Sequence, residues 1–278
     1  MSETAPAPRD AAASPPGMAQ LPPHTRLSPP TFTDEVAPVY ARALDALAQD
    51  GVPFMLGGAI AFNAYTGIWR DTKDLDVFCR PEDAPRALAA LARDGMRTET
   101  VYESWLAKAW DGDVFVDLIW RNANGLFPVR ASWIEHAPHA DILGRRVRVL
   151  PLEELLLSKM MVGGRYRFDG ADMLHVLHAA GDRVDWDRLA DGAGEHVGLM
   201  LAYLHMYRWG YPGSADRVPE AVLERYARLA RERPSTLGPF RALLLDIQSY
   251  RVDVEGWGLP DPHKAVLEGI FGDAEGRR

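Results

Sequence analysis

The chain has 278 residues, 47% hydrophobic and 25% charged, with a formal net charge of −8. That length suffices for one large domain or two modest ones with a real core, and the acidic balance disfavours a generally basic nucleic-acid-binding surface. No apolar run approaches the roughly 18 residues that span a bilayer, and no basic start leads into an apolar stretch, so neither a membrane span nor a secretory leader is expected. The single cysteine, Cys79, has no partner for an internal disulfide, which fits a reducing cytoplasm. It reads as a buried structural thiol.

Residues 1–33 are rich in Pro, Ala, Ser and Thr and carry Pro15-Pro16, Pro22-Pro23 and Pro29-Pro30. Such a segment buries too little apolar surface to offset ordering, and a disordered tail is expected there. Val36, Val39, Leu44, Leu47 and Ala48 are spaced for an amphipathic helix. Val52–Leu56 then forms a short apolar run closed by Gly57-Gly58, a buried-strand pattern, and a helix follows over Ala59–Tyr65 up to Gly67. Leu75–Cys79 reads as the second strand. Pro81-Glu82-Asp83 opens a helix that runs to Gly95, with acids at the positive end of its dipole. Arg97–Glu103 and Val114–Trp120 read as further strands. Trp105–Trp110 is ambiguous but can pair between them, and Arg145–Leu150 reads as an edge strand because of its charges. From Pro151 the apolar spacing turns helical. The expected architecture is α+β: a tail (1–33), a mixed-sheet domain (34–150) and an all-helical domain (151–278).

Three features carry chemistry. Gly57-Gly58 lets backbone approach a phosphate closely, and a helix starting behind it aims free N–H groups there. The same pair before a helix also serves as an ordinary tight turn. Asp74 and Asp76 are two apart, so on a strand they share a face and repel unless cations lie between them. A solvated strand end is the alternative. Asp117 sits inside Val-Phe-Val-Asp-Leu-Ile-Trp, where a charge is expensive without a partner or metal. If its strand lies beside that of Asp74 and Asp76, the three carboxylates converge as a hard oxygen set suited to Mg²⁺ or Mn²⁺.

Other candidates carry less. His175 and His178 have helical metal spacing but lack a third ligand, and packing roles are expected. Ser104 and Ser158 have no His–Asp partners. Trp186, Tyr203, Tyr207, Trp209 and Tyr211 read as helical core, and Trp105 and Trp110 are better placed to stack on a base.

Gly-Gly, about sixteen residues, Asp-x-Asp and then Asp in a later apolar strand resembles the DNA polymerase β-like nucleotidyltransferase superfamily. The likeness is strongest to small bacterial members related to AbiEii-type toxins and to the antibiotic nucleotidyltransferases. It covers residues 52–120 well and extends loosely to Lys159 and Arg165–Asp172. The resemblance implies a nucleotidyltransferase fold and transfer of an NMP from an NTP to a hydroxyl acceptor, with pyrophosphate released. Asp74, Asp76 and Asp117 would be the catalytic and metal-binding residues for Mg²⁺ or Mn²⁺. Gly57 and Gly58 would hold the triphosphate, with Arg70, Thr72, Lys73, Lys159 and Arg165 on its phosphates. The acceptor would be a small molecule, a protein or an RNA, with RNA disfavoured by the net charge. A second reading is a silent nucleotide sensor or toxin–antitoxin partner on the same fold, against which the complete carboxylate set speaks.

Overall fold

The structure, a computed structural model, describes residues 25–275. The tail expected at 1–33 therefore lies largely outside the described residues, but its last part is ordered. Strand β1 (Thr25–Leu27) pairs antiparallel with β3 (Ile68–Arg70). Ser28 donates its backbone N–H to Gly67, and the Asn63 side chain donates to the Ser28 carbonyl. Phe32 packs edge-on against Tyr40 and Trp69, with centroids 5.9 and 5.7 Å away. One aromatic anchor and a short ribbon thus order a stretch whose average composition is that of a tail.

Helix α1 (Val36–Gln49) buries Val39, Tyr40, Ala43, Leu44 and Leu47, the stripe that a 3.6-residue period dictates. Strand β2 (Phe54–Leu56) follows, then α2 (Gly58–Thr66), which stops at Gly67 in the left-handed conformation at φ 70°. Strand β4 (Asp74–Cys79) leads into α3 (Ala84–Arg93), whose Ala84, Ala87, Ala90 and Leu91 face inward. Strands β5 (Arg97–Tyr102), β6 (Leu106–Asp111) and β7 (Val114–Ile119) complete a five-stranded sheet of order β2-β4-β7-β6-β5. Only β4 and β7 run parallel within it, so the sheet is mixed. The ambiguous segment around Trp105–Trp110 is β6, which pairs with both flanking strands.

Helix α4 (Ala131–His136) precedes a separate hairpin of β8 (His139–Ile142) and β9 (Arg145–Arg148). The expected edge strand is therefore β9, which packs beside β2 of the main sheet, and just past its end Val149 bridges Leu56. Beyond it come α5 (Leu152–Met160), α6 (Gly170–Ala180), α7 (Trp186–Ala193), α8 (Val197–Gly210), α9 (Glu220–Glu232), α10 (Ile247–Glu255) and α11 (Pro262–Glu275). The fold is α+β, a mixed sheet with flanking helices followed by a helical C-terminal half. One hydrophobic cluster runs from Val39 to Tyr226 and includes residues of both halves. Each large side chain sealed in it, such as Trp69, Leu75 or Leu118, contributes about 1.5–3 kcal/mol of transfer free energy. No helix among the described residues is long and apolar enough to cross a membrane.

Candidate active site

Register builds the acidic cluster. Asp74 and Asp76 leave the same face of β4 because side chains alternate along a strand. Parallel pairing sets Asp76 beside Asp117 of β7, and β6 sets Lys108 on the other side of Asp117. Carboxylate oxygens of Asp74, Asp76 and Asp117 all lie within 4.8 Å of one another.

Crowding like charges in a shielded place disfavours their ionised forms. The Asp76 carboxyl is pushed up to about 7, first by burial and then by Asp74 and Asp117, against the pull of Arg167 and Lys159. Burial also raises Asp117, which is only 9% exposed, while Lys108 opposes the shift from 2.5 Å. The Lys108 ammonium also lies 4.1 Å from the centre of the Phe115 ring, which fixes it above the sheet. Thr72 donates its hydroxyl to Asp74 Oδ1 at 2.6 Å and so orients that carboxylate.

The glycine turn abuts the same group. Gly57 donates its N–H to the Asp76 carbonyl at 2.9 Å. Gly58 stands at φ +48°, and a Cβ there would lie 1.7 Å from Asp76 Oδ2. A Cβ on Gly57 would come within 2.2 Å of the Phe78 ring. The turn is glycine because carboxylate and backbone share one small space, and the first amides of α2, which lack intrahelical partners, open beside it.

A second cluster joins the two halves of the chain. Arg70 on β3 and Lys159 on α5 both bind Asp172 Oδ2 of α6, at 2.7 and 2.5 Å. Lys159 also lies 3.2 Å from Asp169, which Arg167 approaches at 3.6 Å. Burial opposes ionisation of Asp172, but Lys159 and Arg70 hold its carboxyl below the usual range. Arg70 and Lys159 further share the face of Phe62, at 4.7 and 5.5 Å.

Of the residues singled out in sequence, Gly57, Gly58, Thr72, Asp74, Asp76 and Asp117 thus meet at one point. Arg70 and Lys159 form the adjoining cationic cluster. Lys73 and Arg165 are exposed, and the Arg165 backbone N–H is engaged by Asp246. Arg167, two residues on, is the member of that segment whose charge bears on Asp76.

Tyr40, Lys108 and Asp172 were not read as site residues. Lys108 was readable: once Asp111-Gly112-Asp113 is taken as a hairpin turn, counting back along both strands pairs it with Asp117. Tyr40 is wholly buried, and its hydroxyl has no hydrogen-bond partner among the described residues. Burial, followed by the fields of Asp74, Asp76 and Asp117, drives its ionisation far above the ordinary tyrosine range. Nothing in its sequence position separates it from the rest of the α1 stripe.

Most of the remaining candidates are packed, but Trp209, expected in the helical core, lies 87% exposed near the end of α8. Burial pushes the Cys79 thiol up to about 12. His178 stacks on Tyr211 at 4.5 Å and His175 tilts against Phe62 at 6.3 Å. Arg97 covers Trp110 at 4.0 Å, and Trp105 stacks on Tyr102 at 5.4 Å, both at the β5–β6 edge.

The donor set fits a divalent cation: three carboxylates that repel one another, converging within ligand distance. All donors are oxygens, the set that hard divalent ions take.

The family model described as uncharacterised nucleotidyltransferase matches residues 37–207, and the chain belongs to that family. Membership agrees with the resemblance to the polymerase β-like superfamily and marks the chain as a nucleotidyl-transferring enzyme. Among solved structures, the chain is similar to the antibiotic-resistance factor ANT(2'')-Ia at 20% identity, over 72% of this chain and 98% of that one, with a TM-score of 0.38. It is also similar to the lincosamide antibiotic adenylyltransferase LnuA, at 16% identity over 53% and 98% of the two chains, TM-score 0.37. JHP933 from Helicobacter pylori aligns at 13% identity over 81% and 99%, TM-score 0.37. No curated protein matches the chain.

Proposed function

We propose that the chain transfers a nucleoside monophosphate from an NTP to a hydroxyl-bearing acceptor, with pyrophosphate leaving, and that Asp74, Asp76 and Asp117 hold the divalent cations it needs. The observation that carries this reading is the convergence of those three carboxylates beside a glycine turn that packs against Asp76. Mg²⁺ or Mn²⁺ held there would lower the pKa of the acceptor hydroxyl and offset charge on the reacting phosphate. Thr72 fixes Asp74, and Lys108 fixes Asp117 and partly offsets its charge, so the carboxylates meet their ligand already oriented. The Gly57–Gly58 turn admits the triphosphate close to backbone N–H groups. Lys159 and Arg167 of the helical half, with Arg70 reaching toward them from β3, would stabilise charge gathering on the leaving pyrophosphate. Lys73 and Arg165, exposed as they are, would contact phosphate only at the rim.

The acceptor is a small molecule, a protein side chain or an RNA end, and the acidic overall charge favours the first two. Transfer of α-³²P label from each NTP into fractionated cell extract, with Mg²⁺ or Mn²⁺, tests the reading. Label is expected in one fraction and absent with the Asp74→Asn/Asp76→Asn protein. Equal labelling by both proteins would overturn the assignment of the carboxylates.

A further inference from the structure

Lys108 and Asp117 face each other across β6 and β7, and the lysine ammonium meets Asp117 Oδ1 at 2.5 Å. Its second anchor is on the same strand. Phe115 lies two residues before Asp117, on the same face of β7, and the ammonium sits 4.1 Å from the centre of its ring. Asp117 is the lysine's one ion-pair partner among the described residues. Both side chains are largely shielded, at 23% and 12% exposure. A fixed positive charge is thus seated against one of the three carboxylates that converge as a cation site.

Three formal negative charges whose oxygens lie within 4.8 Å of one another call for cations. Asp117 adds the cost of a carboxylate set in an apolar strand, where an uncompensated charge is unfavourable. Lys108 compensates one of the three charges from within the chain, and the remaining two match one divalent ion. The same ammonium opposes that ion. It occupies an Asp117 oxygen, and it repels any cation that the carboxylates hold in common. A unit charge about 6 Å from a divalent ion costs about tenfold in affinity in water-like surroundings, and more where both are shielded. A neutral donor in the lysine's place would orient Asp117 without that opposition.

We propose that Lys108 is a resident counter-ion of the acidic cluster that limits its affinity for divalent cations: it neutralises Asp117 from within the chain, and a cation gains Asp117 only against that ion pair. The proposal rests on the reading of the three carboxylates as a cation site, and it deepens the part of Lys108 from orientation to charge. It accounts for a lysine on the strand beside Asp117, where an amide or a hydroxyl could hold the same oxygen.

The test uses the full chain without nucleotide, its Lys108→Gln variant and Mn²⁺ alone, with free Mn²⁺ followed by electron paramagnetic resonance. Melting of the metal-free proteins is measured alongside. Glutamine keeps a donor for Asp117 and removes the charge. The variant's Mn²⁺ Kd is expected to be about tenfold tighter than the parent's, while its metal-free Tm falls because Asp117 has lost its counter-charge. A gain below about threefold, or weaker binding, whatever the Tm, is too small for a competing charge; it overturns the proposal and leaves Lys108 a structural partner of Asp117. Should Lys108→Gln not fold, Lys108→Met, which keeps an apolar stem over Phe115, is read by the same criterion. Asp76→Asn protein separates the two levels of the argument. If the parent and the Lys108 variant both bind Mn²⁺ no better than Asp76→Asn, the cation site is overturned and Lys108 with it. A parent that binds well, matched by the Lys108 variant, overturns Lys108 alone.

Discussion

Asp76 is held in a place that suits a neutral acid better than a carboxylate. Burial, Asp74 and Asp117 push it to about 7, far above an unfolded aspartate near 3.8. Between those values the folded chain keeps a proton that the unfolded chain has lost. By linkage, its contribution to stability is fully present below about pH 4 and is lost as pH rises through about 7. A cation bound there would need the deprotonated form, so affinity for it would run the opposite way and strengthen as pH rises through the same window. Replacing Asp76 by Asn removes the charge while keeping the shape. Metal-free Asp76→Asn protein is therefore expected to be more stable than the parent at pH 8, by at least about 1 kcal/mol, and to lose that advantage toward pH 4. Urea titrations at the two pH values measure this, and an equal difference at both would show that Asp76 is not under electrostatic pressure. Gly58 belongs to the same account, since any side chain there must displace the Asp76 carboxylate before it can crowd a nucleotide.

At the level of elements, the short β3 and the helices α5 and α6 are tied by one carboxylate. Asp172 has a side chain only 5% exposed and receives Arg70 and Lys159 together. Removing one partner of a buried ion pair leaves uncompensated charge and costs about 3–5 kcal/mol. Asp172→Ala is expected to fall in that range in equilibrium unfolding, whereas Asp172→Asn, which retains hydrogen-bonding capacity, should lose less. A loss under 1 kcal/mol for the alanine variant would mean that the two cations find water instead. This junction marks where sequence stops being readable. The runs Val52–Leu56, Leu75–Cys79 and Val114–Trp120 declare strands by local apolar pattern, and Asp-Leu-Asp declares one face by its spacing. That Asp117 lies beside Asp76, and not a strand away, depends on a parallel crossover that no local pattern encodes. Asp172 is not legible as a junction residue because its partners lie 13 and 102 positions away in the chain. β3 was missed for a related reason. Ile68-Trp69-Arg70 is too short to show a period, and its partner Thr25–Leu27 sits in a proline-rich stretch.

Across the whole molecule the sheet half and the helical half bury one another. The apolar cluster passes without interruption from Leu118 in β7 through Val149 and Leu150 to Leu155, Leu177 and Tyr207. The backbone follows it, with Leu150 donating its N–H to Leu56 at 2.9 Å and the Tyr65 hydroxyl bonding the Leu150 carbonyl at 2.9 Å. Charge follows it too, because Arg70 reaches from the sheet half to Asp172 in the helical half. Unfolding either half alone would expose apolar surface of the other and break the Arg70–Asp172 pair that crosses between them, both of which oppose a half-folded state. Equilibrium unfolding in urea is therefore expected to show one transition, with far-ultraviolet circular dichroism and tryptophan fluorescence coincident. The fluorescence signal samples both halves, since Trp69, Trp120 and Trp133 lie buried before residue 150 while Trp186 packs against Tyr226 beyond it. Two separated transitions would show that the helical half folds on its own. The acidic site would then be assembled by docking of two units, and its affinity for Mn²⁺ would collapse at the first transition. A single transition makes the junction of the carboxylates with Arg70, Lys159 and Asp172 part of the cooperative core, so that the loss at Asp172 and the gain at Asp76 are felt in one common stability.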